Sequence, residues 1–282
     1  MVIIASFVIH HIAGVKLLDK LKNQYNIDIT KKEENQFLLG NLIVDSVKTK
    51  LSISDSLSED EIKRICTEYK FLVQKEKEST HFRDEKDLEL NIQSPNLDRF
   101  INKYYDLLIN NFSVLGYFFH LYTDKMFFVN LFNDTFECLD ANKNLTIYLN
   151  ETKIVRVKKN NKFYDISDFF NIKHSFSLYN DYTTINKILL DYYKINFNKD
   201  ELLNFVPSFI NPGIEEVDYS NITSIINKTD TFINESYELD NIKLNVFDEV
   251  LIEKFIEEVT NNFFNEYGKL INSYAKKLQR KK

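Results

Sequence analysis

Apolar positions recur with a spacing near 3.6 residues along most of the chain, the mark of helices that each bury one face. Residues 12–25 place Val15, Leu17, Leu18, Leu21 and Tyr25 at that spacing. Thr30-Lys-Lys-Glu33 has the form of a capping box, in which a hydroxyl and a carboxylate satisfy the orphan N–H groups of a helix start. It opens a second helix carrying Phe37, Leu38 and Ile43. Ser58-Glu-Asp-Glu61 opens a third in the same way, running to about Lys77. Ser94-Pro95 predicts an N-cap followed by proline at the first helical position, with Leu97, Ile101, Tyr104 and Leu108 behind it. Residues 112–132 are apolar almost all round, so this helix is expected to be central and buried.

The period then changes. Thr146–Asn150, Lys153–Lys158 and Lys162–Ile166 alternate or are β-branched, which predicts a small β-hairpin or meander at about 146–166. Helical spacing resumes at about 179–194. Pro207, Pro212 and Gly213 mark a loop, and a short helix is expected around Ile222–Ile233. The clearest periodic element is a long C-terminal helix at about 246–278, with Ile252, Phe255, Ile256, Val259, Phe263, Tyr267, Leu270 and Tyr274 in its stripe. That stripe is expected to pack on its own domain, with a second subunit as the alternative. The basic run 276–282 reads as a solvated helix end that complements the dipole. The expected fold is mainly α: a compact multi-helix domain with a central buried metal-binding helix, a small β-hairpin insertion and a long C-terminal helix. The expected division is a core domain of 1–195 and a helical C-terminal appendage of 196–282.

Composition narrows the function. Five glycines and three prolines in 282 residues supply too few tight turns for a β-sandwich or a doubly wound α/β protein. A net charge of −6 argues against affinity gained by neutralising nucleic-acid phosphates. Cys66 and Cys138 sit in no CxxC motif, so a reduced compartment is expected. The apolar start through Ile9 has no basic residue before it and is interrupted by His10 and His11, so no signal peptide is expected. No run approaches the ~20 apolar residues of a membrane helix. A cytoplasmic location without membrane contact follows as the expectation.

Four of the five histidines stand in apolar surroundings. His120 and Asp124 are four apart, so they share one helix face about a turn apart, where an imidazole nitrogen and a carboxylate oxygen can meet one cation. Gly116 lies on the same face and would leave room for it. An aspartate buried there costs several kcal/mol unless paired or metal-bound. The alternative is a His–Asp hydrogen bond in a core. His81, between Thr80 and Phe82, is either structural or a ligand. Asp45 ends the run Leu42-Ile-Val and is either an exposed helix end or an inward ligand. His10 precedes His11 at a helix start, and both stay in view. Nitrogen and oxygen donors of this kind suit zinc. At the start of the helix near 179, Asp181 reads as an N-cap or a substrate contact.

The order and context of these residues resemble the zinc-dependent phospholipase C family, whose superfamily also holds single-strand nucleases. The motifs are His10-His-Ile-Ala-Gly14, Gly40-Asn-Leu-Ile-Val-Asp45, Thr80-His81-Phe82, and Gly116-x-x-x-His120-x-x-x-Asp124, all within residues 1–135. The resemblance implies that Asp45, His81, His120 and Asp124 hold one zinc, and that Asp124 bridges to a second ion bound by His10. It implies hydrolysis of a small phosphoester, with Asp45 as the base acting on metal-bound water. The chain departs from the family pattern in three places. Val44 stands where the family has proline, Phe128, Val129 and Asn130 where a further histidine is usual, and no later His-x-x-x-Glu follows. His174 and Asp181 are the nearest candidates for that pair, but seven helical residues separate them by ~10 Å of rise, too far for one ion. One or two zinc ions are therefore expected. The competing expectation is an inactive helical scaffold with a structural or degenerate metal site that acts by binding a partner.

Overall fold

The computed structural model describes residues 6–46, 59–171, 173–174, 176–239 and 243–280. Helix α1 spans Phe7–Asn23, α2 Lys31–Ile43, α3 Glu59–Thr80, α4 Leu97–Leu108 and α5 Phe112–Met126. A π-helical turn, Phe127–Phe132, and the short α6, Asn133–Thr135, extend α5. Strands β1 (Phe136–Leu139), β2 (Ile154–Val157) and β3 (Lys162–Asp165) follow, then α7 (Ile166–Phe169), α8 (Leu178–Tyr193), α9 (Lys199–Phe205), α10 (Ile222–Tyr237) and α11 (Glu249–Arg280). The protein is mainly α with a small antiparallel sheet and a long C-terminal helix.

Every residue of α5 from Phe112 to Asp124 is buried. Each fully buried Phe or Leu there stabilises by about 1.5–3 kcal/mol. Helices α1, α2, α4 and α11 pack around it, and α2 makes the most extensive contact. The stripe Ile252, Phe255, Ile256, Val259 and Phe263 of α11 is buried within the chain. Lys20 of α1, nearly buried, fixes that packing by donating to Thr260 Oγ1 at 2.8 Å and Asn261 Oδ1 at 2.6 Å. Cys66 and Cys138 are both free. Among the described residues no helix is long and apolar enough to cross a membrane.

The Thr30–Glu33 capping box forms with both of its hydrogen bonds. The corresponding box at Ser58 lies outside the described residues. Three local expectations are corrected. The N-cap of α4 is Asn96, whose side chain accepts from Arg99 N–H and donates to Asp84, so Pro95 precedes the helix instead of opening it. The helix expected through residue 132 changes to π geometry after Met126, which lets Phe127, Phe128 and Phe132 all turn inward. The third strand is Phe136–Leu139 and not Thr146–Asn150. The latter segment is caught between β1 and residues 89–91, with Thr146 N–H donating to Cys138 O and Leu149 N–H to Glu89 O. The sheet order is β1-β2-β3, with Cys138 opposite Val155 and Val155 opposite Tyr164.

Candidate metal centre

Three glycines set the helix spacing that builds the site. A Cβ on Gly40 of α2 would lie 1.9 Å from Ser113 O of α5, and one on Gly116 would lie 2.1 Å from Phe37 O. The backbones of α2 and α5 therefore touch, which only glycine permits. On α1, a Cβ at Gly14 would meet Asn41 Nδ2 at 2.8 Å. Gly116 thus leaves room for a backbone and not, as its helix face suggested, for an ion. The consequence reaches the candidate ligands by about one turn of helix. His10 is four residues before Gly14, Asp45 five after Gly40, and His120 four after Gly116. Asn41 locks the crossing: its side chain donates to His10 O at 2.6 Å, and its own carbonyl accepts from His120 Nδ1 at 2.7 Å.

His10, Asp45, His81, His120 and Asp124 converge, none of them more than 5% exposed. His10 Nε2 lies 3.2 Å from Asp124 Oδ1. The other oxygen of Asp124 lies 3.4 Å from His81 Nε2 and 3.7 Å from His120 Nε2. Asp45 Oδ1 is 3.6 Å from His81 Nε2, and its Oδ2 is 3.9 Å from His120 Nε2. The rings of His10 and His120 stack at 3.5 Å. Two overlapping sets, His10/Asp45/His120 and His81/His120/Asp124, each bring their ligand atoms within 4.8 Å of one another. Bonds of about 2.1 Å in a tetrahedron put ligands about 3.4 Å apart, and the His–Asp contacts here run from 3.2 to 3.9 Å.

His10 hydrogen-bonds Asp124, but at His81 and His120 the protonation pattern is unlike that of a hydrogen-bonded core. His120 Nδ1 faces a carbonyl, which can only accept, so that nitrogen carries the proton. His81 Nδ1 lies 2.8 Å from Lys77 O, a pure acceptor that places the proton on this nitrogen, and the Thr80 hydroxyl 3.0 Å away then accepts. Burial pulls His81 down to about 4 and His120 to about 3, so both rings are neutral at pH 7. Their Nε2 atoms then present lone pairs, and neither finds a hydrogen-bond donor among the described residues. Both face carboxylate oxygens. Burial pushes the Asp45 carboxyl up, but the Lys77 cation leads the opposing charges and the group is held below the usual range. Asp124 is lowered likewise, its desolvation opposed first by His10, through charge and a hydrogen bond. Acceptors facing acceptors in a dry interior repel, and a cation between them reverses the sign. These His and Asp groups can bind a metal ion, with backbone carbonyls orienting two of the imidazoles from behind.

The remaining candidates lie elsewhere. His11 is buried on another side of α1, edge-on to Phe197 at 4.9 Å, with burial pulling it down to about 4. His174 is 39% exposed and stands 3.4 Å from Asp168. Asp181 is buried, but its carboxylate accepts from the backbone N–H groups of Asn245, Val246 and Phe247 at 2.9, 2.7 and 3.0 Å. It ties α8 to the approach of α11, and the cap of α8 is Ser177.

Three residues at the centre carried no sequence signal of their own. Lys77 donates to Asp45 Oδ1 at 3.2 Å. It stands four before His81, a spacing that would have placed it on the same face. Asn41, beside Gly40, was hidden inside an apolar run. Arg83, two residues after His81, is 3% exposed. Comparison with family models, curated proteins and solved structures gave no match, so the reading of this site rests on its own geometry.

Proposed function

We propose that the chain is a zinc-dependent hydrolase acting on a phosphoester. The observation that carries the reading is the convergence of His81 and His120 Nε2, neither with a hydrogen-bond donor among the described residues, on oxygens of Asp45 and Asp124 at 3.4 to 3.9 Å. The five residues that converge are also the five selected by the resemblance to the zinc-dependent phospholipase C family. In this reading His81, His120, Asp45 and Asp124 hold one ion, and the Asp124 oxygen facing His10 serves a second position. Bound zinc would supply an acidified water and polarise the phosphoryl oxygens. Lys77 fixes one oxygen of Asp45. That leaves Oδ2 as the atom to take a proton from the attacking water.

A second reading, a helical scaffold stabilised by a structural ion, is favoured by the enclosure of all five side chains. The two separate in one assay. Zinc-loaded protein is offered bis(p-nitrophenyl) phosphate and p-nitrophenyl phosphate, beside Asp45→Asn in excess zinc. The hydrolase reading expects turnover that chelator abolishes and that Asp45→Asn lowers roughly 100-fold or more. Tight zinc with neither ester cut would leave the scaffold reading standing.

A further inference from the structure

Arg83 is a charged feature of the centre that a bound metal would leave unexplained. All three of its guanidinium nitrogens are buried with no hydrogen-bond partner among the described residues. No carboxylate there lies within ion-pair distance of it. The ring of Phe128, 5.7 Å from Cζ, is its close neighbour. Two of the candidate ligands, Asp124 and Asp45, lie near enough for their charges to act on the guanidinium, as does that of Glu78. A buried cation in this condition costs several kcal/mol.

The backbone is built to aim it there. Helix α3 ends in a Schellman-type turn, with Phe82 N–H donating to Ser79 O and Arg83 N–H to Glu78 O, both at 3.0 Å. The left-handed position of that turn, usually glycine, is Phe82 at φ 52°. A left-handed non-glycine residue costs roughly 1–2 kcal/mol. Edge-on packing of the Phe82 ring against Phe100 at 5.1 Å and Tyr104 at 6.1 Å opposes that cost. The turn sends Phe82 into the core on one side and Arg83 toward the metal centre on the other.

Charge completes the case. Lys77 and Arg83 already match Asp45 and Asp124 in number, so a divalent cation leaves the buried centre with excess positive charge. A phosphoryl anion restores the balance. Its planar fork suits Arg83 to two phosphoryl oxygens at once.

We infer that Arg83 is the anion receptor of this site and holds the non-bridging oxygens of a phosphoryl group bound at the metal. The inference rests on the hydrolase reading for the metal beside it. The ligand chemistry is a phosphomonoester or the inorganic phosphate released from one. Calorimetric titration with inorganic phosphate and with phenyl phosphate tests it on the full chain, as purified and after zinc loading, beside Arg83→Gln and Arg83→Lys. Zinc content and melting temperature are recorded for each.

The expected result is phosphate binding by the zinc-loaded chain, weakened at least tenfold in Arg83→Gln and less in Arg83→Lys, with zinc content unchanged. Tighter binding of phenyl phosphate than of inorganic phosphate marks an ester as the ligand, and the reverse marks the product. Equal phosphate affinity in the parent and Arg83→Gln overturns the inference, as does failure of the parent to bind either anion. Should Arg83→Gln not fold, Arg83→Lys carries the test, because it keeps the charge and loses the fork. Failure of the hydrolase reading looks different: zinc and phosphate bind, Arg83→Gln loses phosphate, and no ester is cut.

Discussion

Asp124 and Asp181 are the same side chain, each on a helix and each at most 1% exposed. Their surroundings are opposite. Asp181 accepts three backbone N–H groups and ties down the chain before α11. Asp124 faces three imidazole nitrogens, two of them with lone pairs toward it. The first carboxylate is satisfied by the fold. The second is held by imidazoles instead of backbone donors: it hydrogen-bonds His10, and its other oxygen faces two Nε2 atoms that carry no donor of their own. Burial of an aspartate therefore identifies nothing by itself; the donors that meet it separate a structural anion from a candidate ligand.

The largest expected effect is on pH dependence of the metal-free protein. Folded His11 and His81 are lowered to about 4 and His120 to about 3, below the ~6.5 of an unfolded histidine. The unfolded chain then binds more protons, so stability is complete above about pH 6.5 and is lost as pH falls toward 4. Each histidine contributes on the order of 3 kcal/mol to that loss. Asp181 runs the other way, because burial raises its pKa and acid favours its folded form. Thermal melts of chelated protein from pH 7.5 to 4.5 should fall steeply. A flat profile would remove the neutral-imidazole assignment.

Next in size is the pair Asp124→Asn and Asp181→Asn. The first should lose zinc at least roughly 100-fold in affinity and also cost the metal-free chain some stability, because the fold holds this carboxyl below its usual range. The second should keep zinc and lose about 3 kcal/mol in urea melts, because an amide cannot accept all three backbone donors. Equal behaviour of the two variants would erase the distinction drawn above.

Smaller again is Gly40→Ala. Its Cβ would stand 1.9 Å from Ser113 O, so α2 and α5 must part. A loss of about 2 kcal/mol is expected, with weaker zinc binding, because Asp45 and His120 ride on those two helices. Unchanged zinc affinity would show that the helix crossing does not set the ligand geometry.

Much of this was legible in the sequence, and the exceptions have physical causes. The buried α5 and the Thr30–Glu33 box are local patterns, and local patterns survive folding. The five candidate ligands stood out because polar side chains inside apolar runs are costly. Strand β1 was missed because Phe136-Glu-Cys-Leu139 is short and follows an aromatic helix without a break. Thr146–Asn150 carries strand-like residues but pairs only partly. Arg83 was invisible because its inward direction depends on a left-handed Phe82, a conformation that sequence assigns to glycine. Gly116 was placed on the correct face and given the wrong neighbour, since spacing along one helix says nothing of which backbone approaches it.

The central claim is that His120 and its partners bind a metal ion. The most direct test is zinc content by mass spectrometry of the purified, zinc-reconstituted protein beside His120→Ala. One or two zinc ions per chain, lost in the variant, is the result the account predicts. No zinc in the reconstituted parent, or equal zinc in both proteins, would contradict it.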